Sequence, residues 1–410
     1  MWNICEGDRV APRWVVKAAQ HEEVRMSSTV TDLPQPAGTP DWPGLARELG
    51  PVFGARAAAH DADDAFPVEN YAALKERKVF SAGIPAELGG GGATHAELCE
   101  MLRELARHCG ATALALSMHT HVVVALVWRY RQGLPAEALL RGIAAEQLVL
   151  VGTGASDWLD STGRVDRVDG GYCVTARKSF CSGSPAGALL LTTAPFDDPS
   201  DGPTVLHFAV SMRSDGVTVL DNWRAMGMRA SGSNDVLLDQ VFVPDEAVSL
   251  RRPRGRWHPF YNVALPIAWP IIMSVYVGVA EAARDLAVQS AQRKLDDSDI
   301  WYLMGELDNA LVTAQIAVES MVELCANLAF VPEVATVNAT FIRKTIAAQA
   351  LLSAVEKAAE IVGGRSLLRS SALERMLRDV HAAQFHPLQP KRQHRFSGRL
   401  ALGLDPVSSD

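Results

Sequence analysis

Apolar positions change their spacing twice along this chain: helical recurrence, then short alternating runs from about Leu148 to Leu250, then helical recurrence again. From Asp41 to about Gln147 they return every three and four positions, as in Leu98, Met101, Leu102 and Leu105, which gives a helix with one buried face. Thr94 and Glu97 have the capping-box spacing and predict a helix start there. Gly89 to Gly92, just before it, read as a flexible connector rather than a phosphate cradle, because no strand precedes them and no lysine follows. Turn sequences at Asp169-Gly170-Gly171, Asp197 to Gly202 and Ser214 to Gly216 punctuate the middle part, with the β-rich runs YCVTA, ALLLTTA, TVLHFAVSM, VTVL and NDVLLDQVFV between them. These runs predict a small antiparallel barrel or sandwich, closed by a linker at Pro244 and the basic stretch Arg251 to Arg256.

From about Phe260 four helical segments are predicted, over 260–293, 298–329, 333–362 and 367–385, separated by Asp296 to Ser298, Pro332 and Gly363-Gly364. The first three would each be about 45 Å long, and helices of similar length with short joins pack as an up-and-down four-helix bundle. The expected class is therefore α+β and multidomain: a leader over 1–40, an N-terminal helical domain over 41–147, a middle β-domain over 148–250 and a C-terminal bundle over 251–405. The bundle's apolar surface exceeds what four helices cover among themselves, so self-association as a homotetramer or homodimer is expected. Val263 to Ala280 carries no charge over 18 residues, but Pro266 and Pro270 interrupt it, and it reads as a buried core helix rather than a membrane span.

A formal charge of -8 over 410 residues leaves no basic face to neutralise a run of phosphates, so nucleic acid is not an expected partner. Cys5, Cys99, Cys109, Cys173, Cys181 and Cys325 are dispersed without CxxC spacing, which fits neither a zinc site nor a secreted disulfide framework and points to the cytoplasm. Arg9, Arg13, Lys17, Glu22 and Glu23 keep the opening residues too polar for a signal peptide, and Met26 offers an alternative start.

Several segments resemble the acyl-CoA dehydrogenase superfamily, and the resemblance runs from roughly residue 45 to 405. They are GIPAELGGGG at 83–92, VGTGASD at 151–157, GYCVTARKSFCSGS at 171–184, RAMGMRASGSNDVLLDQVFVP at 224–244, and AAEIVGGRSL and LERMLRD near the end. The resemblance implies a flavin, FAD or FMN, between the β-domain and the bundle. Thr153 and Ser156 would touch it from a turn, Phe180 would pack on the isoalloxazine face, and Ser182 would present a hydroxyl near N5. It also implies that a neighbouring subunit grips the dinucleotide through Arg293 and the Gly363-Gly364 turn. A guanidinium suits that task because it donates two parallel charge-assisted hydrogen bonds to a pyrophosphate.

A dehydrogenase of this superfamily removes an α-proton with a glutamate while a hydride passes to N5. Extending the last-helix pattern without gaps from Arg378-Asp379 puts Phe385-His386-Pro387 where an aromatic-Glu-Gly sequence is expected, with Pro387 on the glutamate. Some relatives carry the base on the first helix of the bundle, yet no Asp or Glu lies between Glu246 and Glu281. The FCSG strand end, the GMRASGSND loop and the FHP sequence instead resemble the branch that uses reduced flavin and oxygen on small substrates. Oxygen chemistry needs a dry pocket, a hydrogen-bond partner near N5 and a proton donor, roles assigned to Ser182, His386 and either His119 or His121. Arg229 in GMRAS is a candidate substrate contact. The His119/His121 pair lacks further ligands nearby, so no metal is expected.

The leading expectation is a two-component monooxygenase fed with reduced, diffusible flavin by a separate reductase. Its competitors are an acyl-CoA dehydrogenase with a relocated base, passing electrons to an electron-transfer flavoprotein, and a non-catalytic scaffold that keeps the fold.

Overall fold

A computed structural model describes residues 40–154 and 157–408, so the expected leader up to residue 39 and the candidate Ser156 lie outside the described residues. Five helices come first: α1 (Trp42–Ala62), α2 (Val68–Glu76), α3 (His95–His108), α4 (Gly110–Arg131) and α5 (Glu137–Glu146). The strands follow as β1 (Leu150–Gly152), β2 (Arg164–Val168), β3 (Gly171–Lys178), β4 (Leu189–Asp198), β5 (Gly202–Ser211), β6 (Val217–Val219), β7 (Val236–Pro244) and β8 (Val248–Pro253). The chain ends in α6 (Phe260–Ala291), α7 (Ser298–Cys325), α8 (Val334–Val362), α9 (Ala372–Val380) and α10 (Pro390–Ala401).

Thr94 caps α3 as its spacing predicts, accepting from the Glu97 amide while the Glu97 carboxylate accepts from the Thr94 amide. The glycine run before it is neither cradle nor loose connector. Its four amides donate to Ala86, Pro85, Ser81 and Ile84 carbonyls, which leaves no N–H for an anion.

The strands form two four-stranded sheets, ordered β1-β4-β5-β8 and β2-β3-β7-β6. Their inner faces share one apolar core, with Leu190, Leu206 and Phe208 from the first meeting Tyr172, Val174, Val241 and Val243 from the second. Pairing is antiparallel except that β1 runs parallel to β4, because β1 enters directly from α5 rather than through a hairpin. The first half of the basic stretch expected as a linker, residues 251–253, instead belongs to the edge strand β8. Its Arg252 is buried, and the guanidinium is satisfied by the Leu159 and Trp158 carbonyls and by His207 Nε2, at 2.6, 2.8 and 2.9 Å. A planar fork with several donors can be buried this way, which composition alone does not reveal.

α6 is the axis of the helical part. It is apolar around almost its whole circumference and is covered by α3 and α4 on one side and α7 and α8 on the other. The helix runs on through Pro266 and Pro270 instead of stopping there. Burial on all sides outweighs the roughly 3 kcal/mol that an interior proline costs. Among the described residues α4, α6 and α7 are all long and apolar enough to cross a membrane, but the apolar stretch of α6 is spent on neighbouring helices. The segment predicted over 367–385 is α9 followed by a 3₁₀ turn over His381–Gln384, and α10 is a further helix that the periodicity did not predict.

One buried ion pair secures the junction between β1 and β3. Lys178 and Asp157 are almost fully inaccessible, with Nζ 2.8 Å from Oδ1, and the amine also donates to the Thr162 carbonyl at 2.7 Å. Asp157 accepts further from Thr153, Ser161, Thr162 and Thr192. Removing one member of such a pair strands the other charge. Lys178→Met is therefore expected to destabilise the fold by about 3–5 kcal/mol in urea denaturation. A loss under about 1 kcal/mol would show that the pair is solvated in solution.

Candidate active site

The segment after β3 makes a sharp change of direction. Phe180 adopts a left-handed conformation with φ 59°, which costs a non-glycine residue on the order of 1–2 kcal/mol. The result is an aromatic ring held 57 % exposed, edge-on to Trp223 with centroids 5.9 Å apart. An aromatic face presented to solvent through a strained backbone suits a planar ligand.

Ser182, two residues on, is buried, and its Oγ lies 2.7 Å from Ser233 Oγ. The 181–184 segment is stitched to residues 231–234 by the Cys181 amide on the Asn234 carbonyl, the Gly183 amide on the Ser231 carbonyl, and the Ser184 hydroxyl on the Gly232 carbonyl. Gly232 permits this approach: its φ is +56°, and a Cβ there would lie 2.6 Å from the Phe66 ring.

A second group of side chains meets where α4, α6, α8 and the turn before α10 converge. Tyr276 O–H lies 2.6 Å from His386 Nε2. Burial holds the Tyr276 phenol well above its ordinary pKa, so it stays protonated, and because its buried O–H has no other partner among the described residues it donates to Nε2 of His386. The proton of the neutral imidazole then sits on Nδ1. Burial first, and the nearby Lys344 charge second, push His386 down to about 3, so the ring stays neutral at ordinary pH.

His121 has the opposite tautomer. Its Nδ1 donates to the Ser117 carbonyl at 3.0 Å and burial lowers it to about 4, leaving Nε2 as a bare acceptor. The two rings lie close enough for His121 to affect the titration of His386. Together they offer one N–H donor and one lone pair. Trp269 stacks near His386 at 6.1 Å between centroids, and its buried indole N–H has no partner among the described residues. An orphaned donor here, like the orphaned Tyr71 hydroxyl beside Gly183, is what a ligand-binding cavity leaves behind.

α4 connects the two groups. Ala115 lies against Gly183, and His121 is six residues further on, about 9 Å along the helix axis.

Other expected site residues fall elsewhere. His119 is a structural histidine: Nε2 bonds the Phe80 carbonyl at 2.8 Å and Nδ1 accepts from the Leu150 amide at 3.0 Å, so neither nitrogen is left for chemistry. The Thr153 hydroxyl is turned inward to Asp157 and Thr192, which leaves only the backbone of its turn for a ligand. Arg229 donates to the Ala225 carbonyl and lines a polar cleft of about 260 Å³ with Asp61, Arg369, Glu374, Arg375 and Arg378, whose lining includes neither His121 nor His386. Arg293 is exposed just past α6, and it is the adjoining Lys294 that reaches the end of α8, donating to the Ile361 carbonyl. Gly363, φ +77°, caps the end of α8.

Pro387 stands beside His386 as the sequence requires, and no carboxylate is hydrogen-bonded to His386, Tyr276 or Lys344 among the described residues. Glu281, the first acid along α6, is spent on Arg103, Arg107 and Gln315. Asp379 lies close enough to Tyr276 to raise the phenol further; burial raises Asp379 itself to about 6, and it accepts from the Met228 amide.

Comparison with known proteins bears on this arrangement. The acyl-CoA dehydrogenase N-terminal domain family matches residues 46–147 and the C-terminal domain family matches residues 271–389, together more than half of the chain. The chain belongs to the acyl-CoA dehydrogenase superfamily. It is a flavin-dependent oxidoreductase of that superfamily. It is 29% identical over 370 residues to the putative acyl-CoA dehydrogenase YdbM of Bacillus subtilis, covering 84% of this chain and 92% of that one. It is 28% identical over 363 residues to the amino sugar nitrososynthase RubN8 of Streptomyces rubradiris, covering 84% and 85%. The solved structure of KijD3 with FMN and dTDP-3-amino-2,3,6-trideoxy-4-keto-3-methyl-D-glucose superposes with a TM-score of 0.81 at 27% identity, over 90% of this chain and 96% of that one. Within the superfamily the similarities of this chain lie with the flavin-dependent monooxygenase branch.

Exposed Phe180 and the Ser182 hydroxyl suit the face and edge of a flavin ring, and the orphaned donors suit a cavity that holds it with a substrate. Sequence reasoning missed Tyr276, Trp269, Lys344 and Ser233. The Tyr276→Phe substitution is expected to release the tautomer of His386. Long-range ¹⁵N–¹H spectra of histidine-labelled protein should show a protonated Nδ1 and bare Nε2 before the change, and a mixture after it. An unchanged pattern would assign the tautomer to some other contact.

Proposed function

We propose that this protein is a two-component monooxygenase that receives reduced FMN or FAD from a separate reductase and oxygenates a small polar substrate, with an amine nitrogen the best-fitting target. The observation that carries this is the pair of neutral imidazoles of opposite polarity, His386 Nδ1–H and His121 Nε2, with no carboxylate hydrogen-bonded to either ring among the described residues. A dehydrogenase needs an anionic base at that place to remove a carbon-bound proton, and a neutral donor paired with an acceptor does not provide one.

Bound reduced flavin would supply the electrons that activate oxygen. Phe180 would support the ring face, and Ser182 would meet its N5 edge. His386 would hold its Nδ1–H toward oxygen as negative charge develops there, with Tyr276 fixing the ring. Proton delivery through Tyr276 is disfavoured, since burial makes the phenolate costly. His121 Nε2 would accept the N–H of an uncharged amine and aim the nitrogen lone pair at the oxygen. Trp269 and the apolar wall of α6 keep water away. Names of relatives that act on amino sugars support the amine. The exposed Trp301, Tyr302 and Ile316 on α7 support self-association.

The test supplies FMN or FAD reduced by a generic reductase, ¹⁸O₂ and a panel of amines including amino sugars. One labelled oxygen atom in the product is expected. Prompt anaerobic bleaching of bound oxidised flavin by an acyl-CoA, with no labelled product, would establish the dehydrogenase instead. His386→Phe is expected to lower product formation at least about 100-fold while flavin binding is kept, with consumed oxygen appearing as hydrogen peroxide. Retention of full coupling in that variant would remove His386 from the mechanism.

A further inference from the structure

Behind Ser182 lies a row of buried hydroxyls. Ser182 Oγ is 2.7 Å from Ser233 Oγ, which is in turn 2.7 Å from Ser231 Oγ. Their exposures are 9 %, 4 % and 0 %, so the row runs from the site edge into the interior. The backbone bonds that stitch 181–184 to 231–234 hold the three oxygens in line. The Asn234 side chain, accepting from the Asn222 and Trp223 amides, fixes the far end of the loop.

Each hydroxyl has one proton, so a row of three points as a whole in one direction or the other. If it points inward, the Ser231 proton ends in the interior, where Ser233 is its only hydrogen-bond partner among the described residues and is already donating to it. If it points outward, Ser231 donates to Ser233 and Ser233 to Ser182, and the Ser182 proton is left for the site. The outward direction buries no unsatisfied donor and is the resting one.

We propose that Ser233 and Ser231 are positioning residues that set the hydrogen-bond polarity Ser182 offers to the flavin, outward for oxidised flavin and reversed for reduced flavin. This rests on the reading that Ser182 meets flavin N5. Oxidised N5 is a bare acceptor and would accept a hydrogen bond from the Ser182 hydroxyl. Reduced flavin carries a hydrogen on N5 and needs Ser182 as acceptor, which requires all three hydroxyls to rotate together. No proton leaves the row and no bond is broken. The row therefore favours oxidised flavin over reduced by the difference between its two directions, and the protein binds the reduced form only by turning the row inward.

The experiment measures dissociation constants of FMN and FAD in both oxidation states, with the midpoint potential of the bound flavin, for the full-length protein and variants. Ser233→Ala breaks the row and should shift the affinity ratio toward reduced flavin by about fivefold, which for two electrons is about +20 mV. Ser231→Ala should move it the same way by less, and Ser233→Thr, which keeps a hydroxyl, should restore the original ratio. In a Ser182→Ala background, Ser233→Ala should have no further effect on the ratio. An equal change in both affinities after Ser233→Ala, with Ser182→Ala still shifting the ratio, would overturn the role of the row. An unchanged ratio in Ser182→Ala itself would overturn the placement of Ser182 at N5, and the proposal with it. Ser231→Ala serves as the independent variant should Ser233→Ala fail to fold.

Discussion

Everything in the helical part depends on covering α6. A helix that is apolar on nearly all sides cannot stay at a surface, and here α3 and α4 close over one side while α7 and α8 close over the other. Two helical stretches separated in sequence by the whole β-region thus share a single core. The same packing sets the chemistry. Trp269 and Tyr276 project from α6 into the space where His386 arrives from the C-terminal turn and His121 from α4. The apolar environment that stabilises the helix also removes the water that would otherwise charge these groups.

That environment acts on each titratable group in a predictable direction. Burial lowers His121 and His386 and raises Tyr276, so all three are neutral, and their hydrogen bonds rather than their charges decide what they do. Neutral imidazoles can still be distinguished by tautomer. A carbonyl accepting from Nδ1 in one ring and a phenol donating to Nε2 in the other give two outward nitrogens of opposite character. The selectivity of the pocket is thereby written in second partners, Ser117 and Tyr276, that need never touch a substrate.

Much of this was legible in the chain. The helix–sheet–helix order, the capping box at Thr94 and the strands behind YCVTA and TVLHFAVSM follow from periodicity and turn chemistry, while Phe180, Ser182 and His386 were singled out only through the family resemblance. What escaped was tertiary. His119 and His121 are two residues apart on α4 and so point about 200° apart, but α4 is apolar on most faces and gave no sign of which histidine was turned inward. Tyr276, Trp269 and Lys344 sit at positions that read as core or as ordinary helix surface. Arg252 read as part of a linker because a stretch of four arginines is normally solvated, and only the carbonyls of Trp158 and Leu159 explain its burial. Pro266 and Pro270 argued against a membrane span and left the helix predicted over 260–293 standing, as α6 shows.

Lys344 gives the pocket its electrostatic sign. Its amine is buried, donates to the carbonyls of His386 and Leu388 at 2.8 and 3.2 Å, and has no carboxylate partner among the described residues. Burial lowers it only to about 8, so at neutral pH it is charged. The two carbonyls solvate the ammonium and fix the turn on either side of Pro387. A carboxylate on this turn would compensate the ammonium, but residues 381–389 carry none. The positive charge is left uncompensated beside the imidazole donor. Such a field lowers the cost of placing negative charge in a dry cavity and raises the cost of creating a cation, since in low dielectric the attraction or repulsion is only weakly screened. Transfer of electrons to oxygen builds negative charge there, whereas an acyl α-carbon is activated only when a base accepts its proton. A turn without an acid, backed by the Lys344 ammonium, suits the first of these demands better than the second.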